Sequence, residues 1–260
     1  MQVAYDGSAF FGWQRQDGFE SVQESIEDAF ESLVGTRVVV HGAGRTDTGV
    51  HALGQVASCH VDTRLDDHRL LQALNAHLDD GVVVRRLETC RDDFHARFDA
   101  RGKRYLYLTA TTPFRPPFGA RLCHWSREPL DLAAMREAAR GFVGQKDFAA
   151  LATAGSPRAS TVRTLTRVRI VPRRDRLAIV VDGDGFLYNM VRTIAGTLLE
   201  VGRGRREAAS IAPMLASLDR RCAGPTAPAE GLWLVRVRYD ETPFQGRVRG
   251  PRGAPGSFQY

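Results

Sequence analysis

The chain has 260 residues, 43% hydrophobic and 25% charged, enough to bury a sizeable core in one or two domains and too apolar for a disordered chain. Its net charge is +6, and all but two of its 36 basic residues (Lys103 and Lys146) are arginine, which favours a polyanionic partner because guanidinium groups fork onto phosphates and bases. Four widely spaced cysteines (Cys59, Cys90, Cys123, Cys222), no signal peptide at the start and no membrane-length apolar run predict a cytoplasmic protein that keeps free thiols and holds no metal.

Taken in order, Gln2 to Tyr5 reads as a short strand, followed by a loop dense in glycine, aromatics and amides through Gln16. Ser21 with Glu24 forms a capping box, and Val22, Ile26, Ala29, Phe30 and Leu33 make the apolar stripe of a helix that ends near Gly35. The stretch from Val38 to Cys59 then places four glycines and one carboxylate, Asp47, between two strand-like runs, with Arg45 two residues before it. Such a loop is a plausible place for chemistry, or a plain strand–turn–strand connection. Leu70 to Leu78 predicts a second helix, Val82 to Leu87 a strand, and Arg101 to Thr109 a strand with Tyr105 and Tyr107 on one face.

Pro113, Pro116 and Pro117 mark the expected boundary between an N-terminal α/β domain (1–112) and a C-terminal one (113–241). In the second, Leu132 to Phe142 reads as a helix, and Val162 to Val171 and Leu177 to Val181 as strands. Asp182-Gly-Asp184-Gly reads as a hairpin end, because a calcium loop would need a bidentate Glu where Thr193 stands. Phe186 to Val201 has the strongest helical pattern, with Arg192, Asn189 and Gly196 opposite its apolar arc, where another surface should come close. A basic loop (Arg203, Arg205, Arg206), a helix to Leu218 and a strand from Leu232 to Val237 follow, and a Gly/Pro/Arg-rich tail (242–260) should fray.

Gly42-Ala-Gly44-Arg-Thr-Asp47 lacks the third glycine of a dinucleotide fingerprint, and Asp47-Thr48-Gly49 is one copy of a tripeptide that aspartic proteases need twice. The histidines never take ligand spacing and read as structural or surface groups. What remains is one carboxylate, aromatics on a strand, an arginine on a half-buried helix and many basic loops. A lone Asp suffices for an isomerisation, and stacking aromatics suit a base drawn out of a nucleic acid. A non-catalytic RNA-binding module using the Tyr105/Tyr107 face is the reading from another class, and a dimeric aspartic protease the third.

The runs Gly44-Arg-Thr-Asp-Thr-Gly-Val-His51, Tyr5-Asp-Gly…Gly12-Trp-Gln-Arg-Gln16, Asp93-Phe-His-Ala-Arg-Phe98, Arg104-Tyr105 and Met190-Val-Arg192 resemble, in order, the motifs of the tRNA pseudouridine synthase A family. The resemblance implies an α/β (α+β) pseudouridine synthase fold, with two domains of antiparallel or mixed sheets flanking a basic cleft. It also implies a homodimer acting without cofactor or metal on uridines 38, 39 and 40 of the tRNA anticodon stem-loop. By the same resemblance Asp47 is the nucleophile, Arg45 helps extrude the base, Tyr105 stacks on the uracil and Arg192 pairs with Asp47. Arg15, Arg97, Arg203, Arg205 and Arg206 are the RNA-binding candidates. Attack at C1′, attack at C6 and a glycal route all remain open.

Overall fold

The computed structural model describes residues 1–153, 160–241 and 243–244. The expected tail from Thr242 lies outside them, apart from residues 243–244.

Strands β1 (Gln2–Tyr5), β2 (His41–Gly42), β3 (His51–Ser58), β4 (Val82–Arg86) and β5 (Gly102–Ala110) come from the first half of the chain. Strands β6 (His124–Trp125), β7 (Gly144–Asp147), β8 (Val162–Arg173), β9 (Arg176–Gly183) and β10 (Leu232–Arg238) come from the second. Among the described residues all ten join one mixed sheet, ordered β4-β1-β3-β10-β5-β9-β8-β7, with β2 beside β3 and β6 beside β5. Strands of the two expected α/β units thus share one sheet and interleave at its middle, where β10 from the second lies between β3 and β5 from the first. β10 lies parallel to β3 and antiparallel to β5, with Leu234 opposite Ala52 on one side and Tyr105 on the other.

Five helices, α1 (Val22–Val34), α2 (Asp67–His77), α3 (Leu132–Arg140), α4 (Met190–Gly202) and α5 (Ile211–Ala216), contribute to the main core. Alternation sorts the strands against them. Tyr105, Tyr107, Ile179 and Val181 point into that core, whereas Leu106, Leu108, Ala178 and Val180 form a smaller cluster on the opposite face. Ser21 caps α1 as its spacing predicts, its hydroxyl accepting from the Glu24 N–H at 3.3 Å.

Two expectations need correction. The Phe186–Val201 helix starts only at Met190, because Asn189 sits in the left-handed region (φ 61°) and breaks the helical run. Phe186, freed from the helix, sets its ring edge-on to Tyr105 at 5.0 Å. Asp182 is no hairpin end either: it lies within β9, buried, and accepts two bonds from Arg104 at 2.7 and 3.0 Å. A carboxylate inside a strand is tolerated there because the guanidinium satisfies both oxygens.

Candidate active site

The glycine-rich stretch between β2 and β3 is a loop held from below. The Tyr5 hydroxyl meets the Thr46 hydroxyl at 2.7 Å, Trp13 N–H donates to the Thr46 carbonyl at 3.0 Å, and Gln55 Nε2 donates to the Gly44 carbonyl at 2.7 Å. Gly12 makes this close approach possible. Its φ is +93°, and a Cβ there would stand 2.6 Å from the Thr46 carbonyl oxygen. His51 closes the loop. Its Nδ1 accepts from the Gly7 N–H at 3.0 Å and its Nε2 lies 3.0 Å from the Arg121 carbonyl, a pattern that favours the neutral ring with its proton on Nε2, while Nδ1 also lies 3.1 Å from the Asp6 carboxylate. Burial lowers its pKa in the same sense, although the Asp6 carboxylate opposes this. The histidine is structural, as its spacing predicts.

Asp47 faces a cleft of about 720 Å³ whose other walls carry Tyr105 and Arg192, with Arg45 and Lys103 at its lining. Arg192 stands in the first turn of α4 with Nη1 3.7 Å from Asp47 Oδ2. Its direction is fixed by two neutral oxygens: Nε donates to the Ala227 carbonyl at 2.7 Å and Nη1 to Asn189 Oδ1 at 2.9 Å. The surface expected to approach this side of α4 is the segment around Pro225, whose carbonyl a side chain at Gly196 would strike. Burial pushes the Asp47 carboxyl above the usual carboxylate range, and the Arg192 guanidinium pulls it back down. The result is an anion poorly solvated by water and matched by one nearby cation.

Tyr105 is buried to all but 8% of its surface yet lines the cleft. Burial, reinforced by Tyr5 and Asp47, raises its phenol pKa well above that of a free tyrosine, so the hydroxyl stays protonated. Tyr107 shares the strand face but does not line this cleft. It is fully buried, and its hydroxyl donates to the Pro228 carbonyl at 2.9 Å. The paired-tyrosine binding face is thus reduced to one ring.

The structure brings Asp47, Arg45, Tyr105 and Arg192 to one cleft and distributes the other arginines differently. Arg15 is drawn onto Glu24, Glu27 and Asp28 of α1 at 3.3 to 4.0 Å. Arg203 and Arg205 lie past the far end of α4, where Glu128 and Glu200 neutralise them at 2.7 to 3.5 Å. Arg97 is exposed and rests over the Phe98 ring at 5.7 Å. Sequence reasoning passed over Lys103, although its place two residues before Tyr105 on an alternating strand was the available signal. Tyr5 and Thr46 fall within the quoted motif runs but received no role there, because the roles of these supports and of Gln55 depend on a loop folding back over them.

No group of acidic, histidine or cysteine side chains among the described residues has the arrangement of a metal site, and no described helix is long and apolar enough to cross a membrane.

A family model described as tRNA pseudouridine synthase matches residues 1–99 and 138–240. Three bacterial relatives named tRNA pseudouridine synthase A are similar over nearly their whole length. That of Geobacillus kaustophilus is 44% identical over 92% of this chain and 93% of its own. Those of Acetivibrio thermocellus (43%, covering 91% and 97%) and Shouchella clausii (41%, covering 96% of each) match comparably. The chain belongs to the tRNA pseudouridine synthase family.

Proposed function

We infer that this chain is an isomerase that converts uridine to pseudouridine in tRNA, and that Asp47 carries the reaction. The observation that supports this assignment most strongly is the Asp47–Arg192 pair at 3.7 Å, facing a cleft also lined by Tyr105. In the reaction the N1–C1′ bond breaks, the uracil turns, a C5–C1′ bond forms, the C5 proton leaves and N1 gains one. Nothing else enters or departs, so one ionised carboxylate with a fixed counter-charge is sufficient equipment. Arg192 favours the ionised Asp47 against the opposing pull of burial. The Tyr105 ring holds the detached uracil by stacking. Its raised pKa argues against the phenolate as the base that takes the C5 proton. Arg45, exposed at the cleft lining, is placed to occupy the gap left by an extruded base.

We further propose, from the family resemblance, that the targets are uridines 38, 39 and 40 of the anticodon stem-loop, and that two copies act together in the cytoplasm. Neither competing reading gains support. An aspartic protease needs a second carboxylate to share a proton, and the charged partner of Asp47 is an arginine. A passive RNA-binding module would leave that pair without a task. Tritium release from tRNA carrying 5-tritiated uridine separates the three, since only the isomerase frees the label. Label retained by intact, tRNA-binding protein would overturn the assignment, and mapping the modified positions tests the choice of 38, 39 and 40.

A further inference from the structure

The basic side chains singled out above, with Arg104 and Lys103, sort into two groups. Arg192 has Asp47, and Arg15, Arg104, Arg203 and Arg205 each have carboxylates. Lys103, Arg97 and Arg45 have none among the described residues. Lys103 is the most unusual of the three. It projects from β5 on the Tyr105 face, is half-buried and lines the cleft. Its ammonium lies against the catalytic loop at Gly44, where an added Cβ would stand 2.8 Å from Nζ, so the absence of a side chain there makes room for it. Burial lowers its pKa, and the positive charge of Arg97 lowers it further. The cation within 4.0 Å of Asp47 among the described residues is Arg192, at 3.7 Å, so Lys103 is not the carboxylate's direct ion-pair partner.

A half-buried cation near a second cation, with no carboxylate within 4.0 Å among the described residues, is costly unless an anion arrives with the ligand. Uracil and ribose are neutral; the anion that an RNA substrate brings is its phosphodiester. We propose that Lys103, with Arg97 beside it, forms a phosphodiester subsite at the edge of the cleft and holds the RNA backbone next to the extruded uridine. This rests on the reading of the cleft as an RNA-isomerising site. The neighbouring Tyr105 takes the base while Lys103 takes the backbone, so one strand face positions both parts of the nucleotide. Lys103 is a positioning residue and takes no part in bond making.

The test compares wild type with Lys103→Met, which keeps length and shape, and with Lys103→Arg, which keeps charge. Binding to unmodified tRNA is measured across salt concentrations, and turnover by tritium release. For Lys103→Met the slope of log affinity against log salt should flatten by about one, and KM should rise about tenfold with kcat falling less than threefold. Lys103→Arg should restore both. A stem-loop RNA with neutral methylphosphonates placed singly at the linkages flanking the target uridine should bind wild type more weakly at one position and Lys103→Met no more weakly there. An unchanged slope, a Lys103→Arg variant that behaves like Lys103→Met, or a loss confined to kcat would each overturn the subsite. Should Lys103→Met lose its thermal transition, Lys103→Gln takes its place in the same comparison. A wild type that binds tRNA with the ordinary slope but releases no tritium would sink the isomerase reading and leave the subsite standing on its binding data.

Discussion

The two ends of α4 carry arginines that look alike in sequence and differ in circumstance. At the first turn, Arg192 is oriented by two neutral oxygens and keeps its charge for Asp47 at 3.7 Å. Past the last turn, roughly 17 Å along the axis at 1.5 Å per residue, Arg203 and Arg205 are closed onto Glu128 and Glu200. The denser cluster is the quieter one. What marks a basic group for work on an anion is the charge left over after its neighbours are counted.

The largest expected effect tests the working end. Asp47→Asn should lower turnover by about a thousandfold or more, since the amide cannot act as an anion, while tRNA binding stays within a few-fold. Residual turnover above about a tenth of wild type would remove Asp47 from the reaction. The same variant should be more stable than its parent at pH 7. Burial holds the folded carboxyl above its unfolded pKa, so the folded chain binds more protons in that window and stability falls as pH rises through it. Thermal melts at pH 7 and below the ordinary carboxylate range should show this gap and then its closure.

Arg192→Leu comes next. Turnover should fall about a hundredfold, and the acidic limb of the pH–rate profile should move to higher pH, because the group that pulls the Asp47 pKa down is gone. A limb that stays in place would break the pairing. Tyr105→Leu should cost about tenfold or more through lost stacking, whereas Tyr105→Phe should keep most turnover, the hydroxyl being too weak an acid to serve as base. A dead Phe variant would return the proton step to this residue.

The smallest effect belongs to the far end. Changing Arg203, Arg205 and Arg206 together to Ser should alter the salt slope of tRNA binding by less than about one and stability by about 1 kcal/mol, because the first two release acidic partners and one hydrogen bond to Ser126. A slope flattened by two to three would restore these arginines to the RNA interface and erase the contrast between the two ends.

Much of this was legible without coordinates. The capping box at Ser21, the alternation that puts Tyr105 and Tyr107 on one face, and the wheel position of Arg192 are local periodicities that translate directly into geometry. The start of α4 was not, because Phe186 and Leu187 continue the apolar rhythm while the left-handed Asn189 breaks the backbone. Nor was the pairing of Arg203 with Glu128, whose partners are 75 residues apart in sequence and meet only through tertiary packing. Asp182 misled for the opposite reason: flanking glycines suggested a turn, and its partner Arg104 lies on a different strand.

The position of β10 also bears on how the protein reaches its working state. Its residues, 232–238, are synthesised after every other described strand, yet they fill the gap between β3 and β5. The loop bearing Asp47 runs into one of those strands and Tyr105 sits on the other, so their spacing is set by a segment made late. Until β10 inserts, the middle of the sheet exposes two unpaired edges, and the long-range pairing that closes it is of the slow kind. A nascent chain halted before residue 232 should therefore bind a chaperone and show no isomerase activity, and release of the remaining segment should bring cleft and activity together in one step.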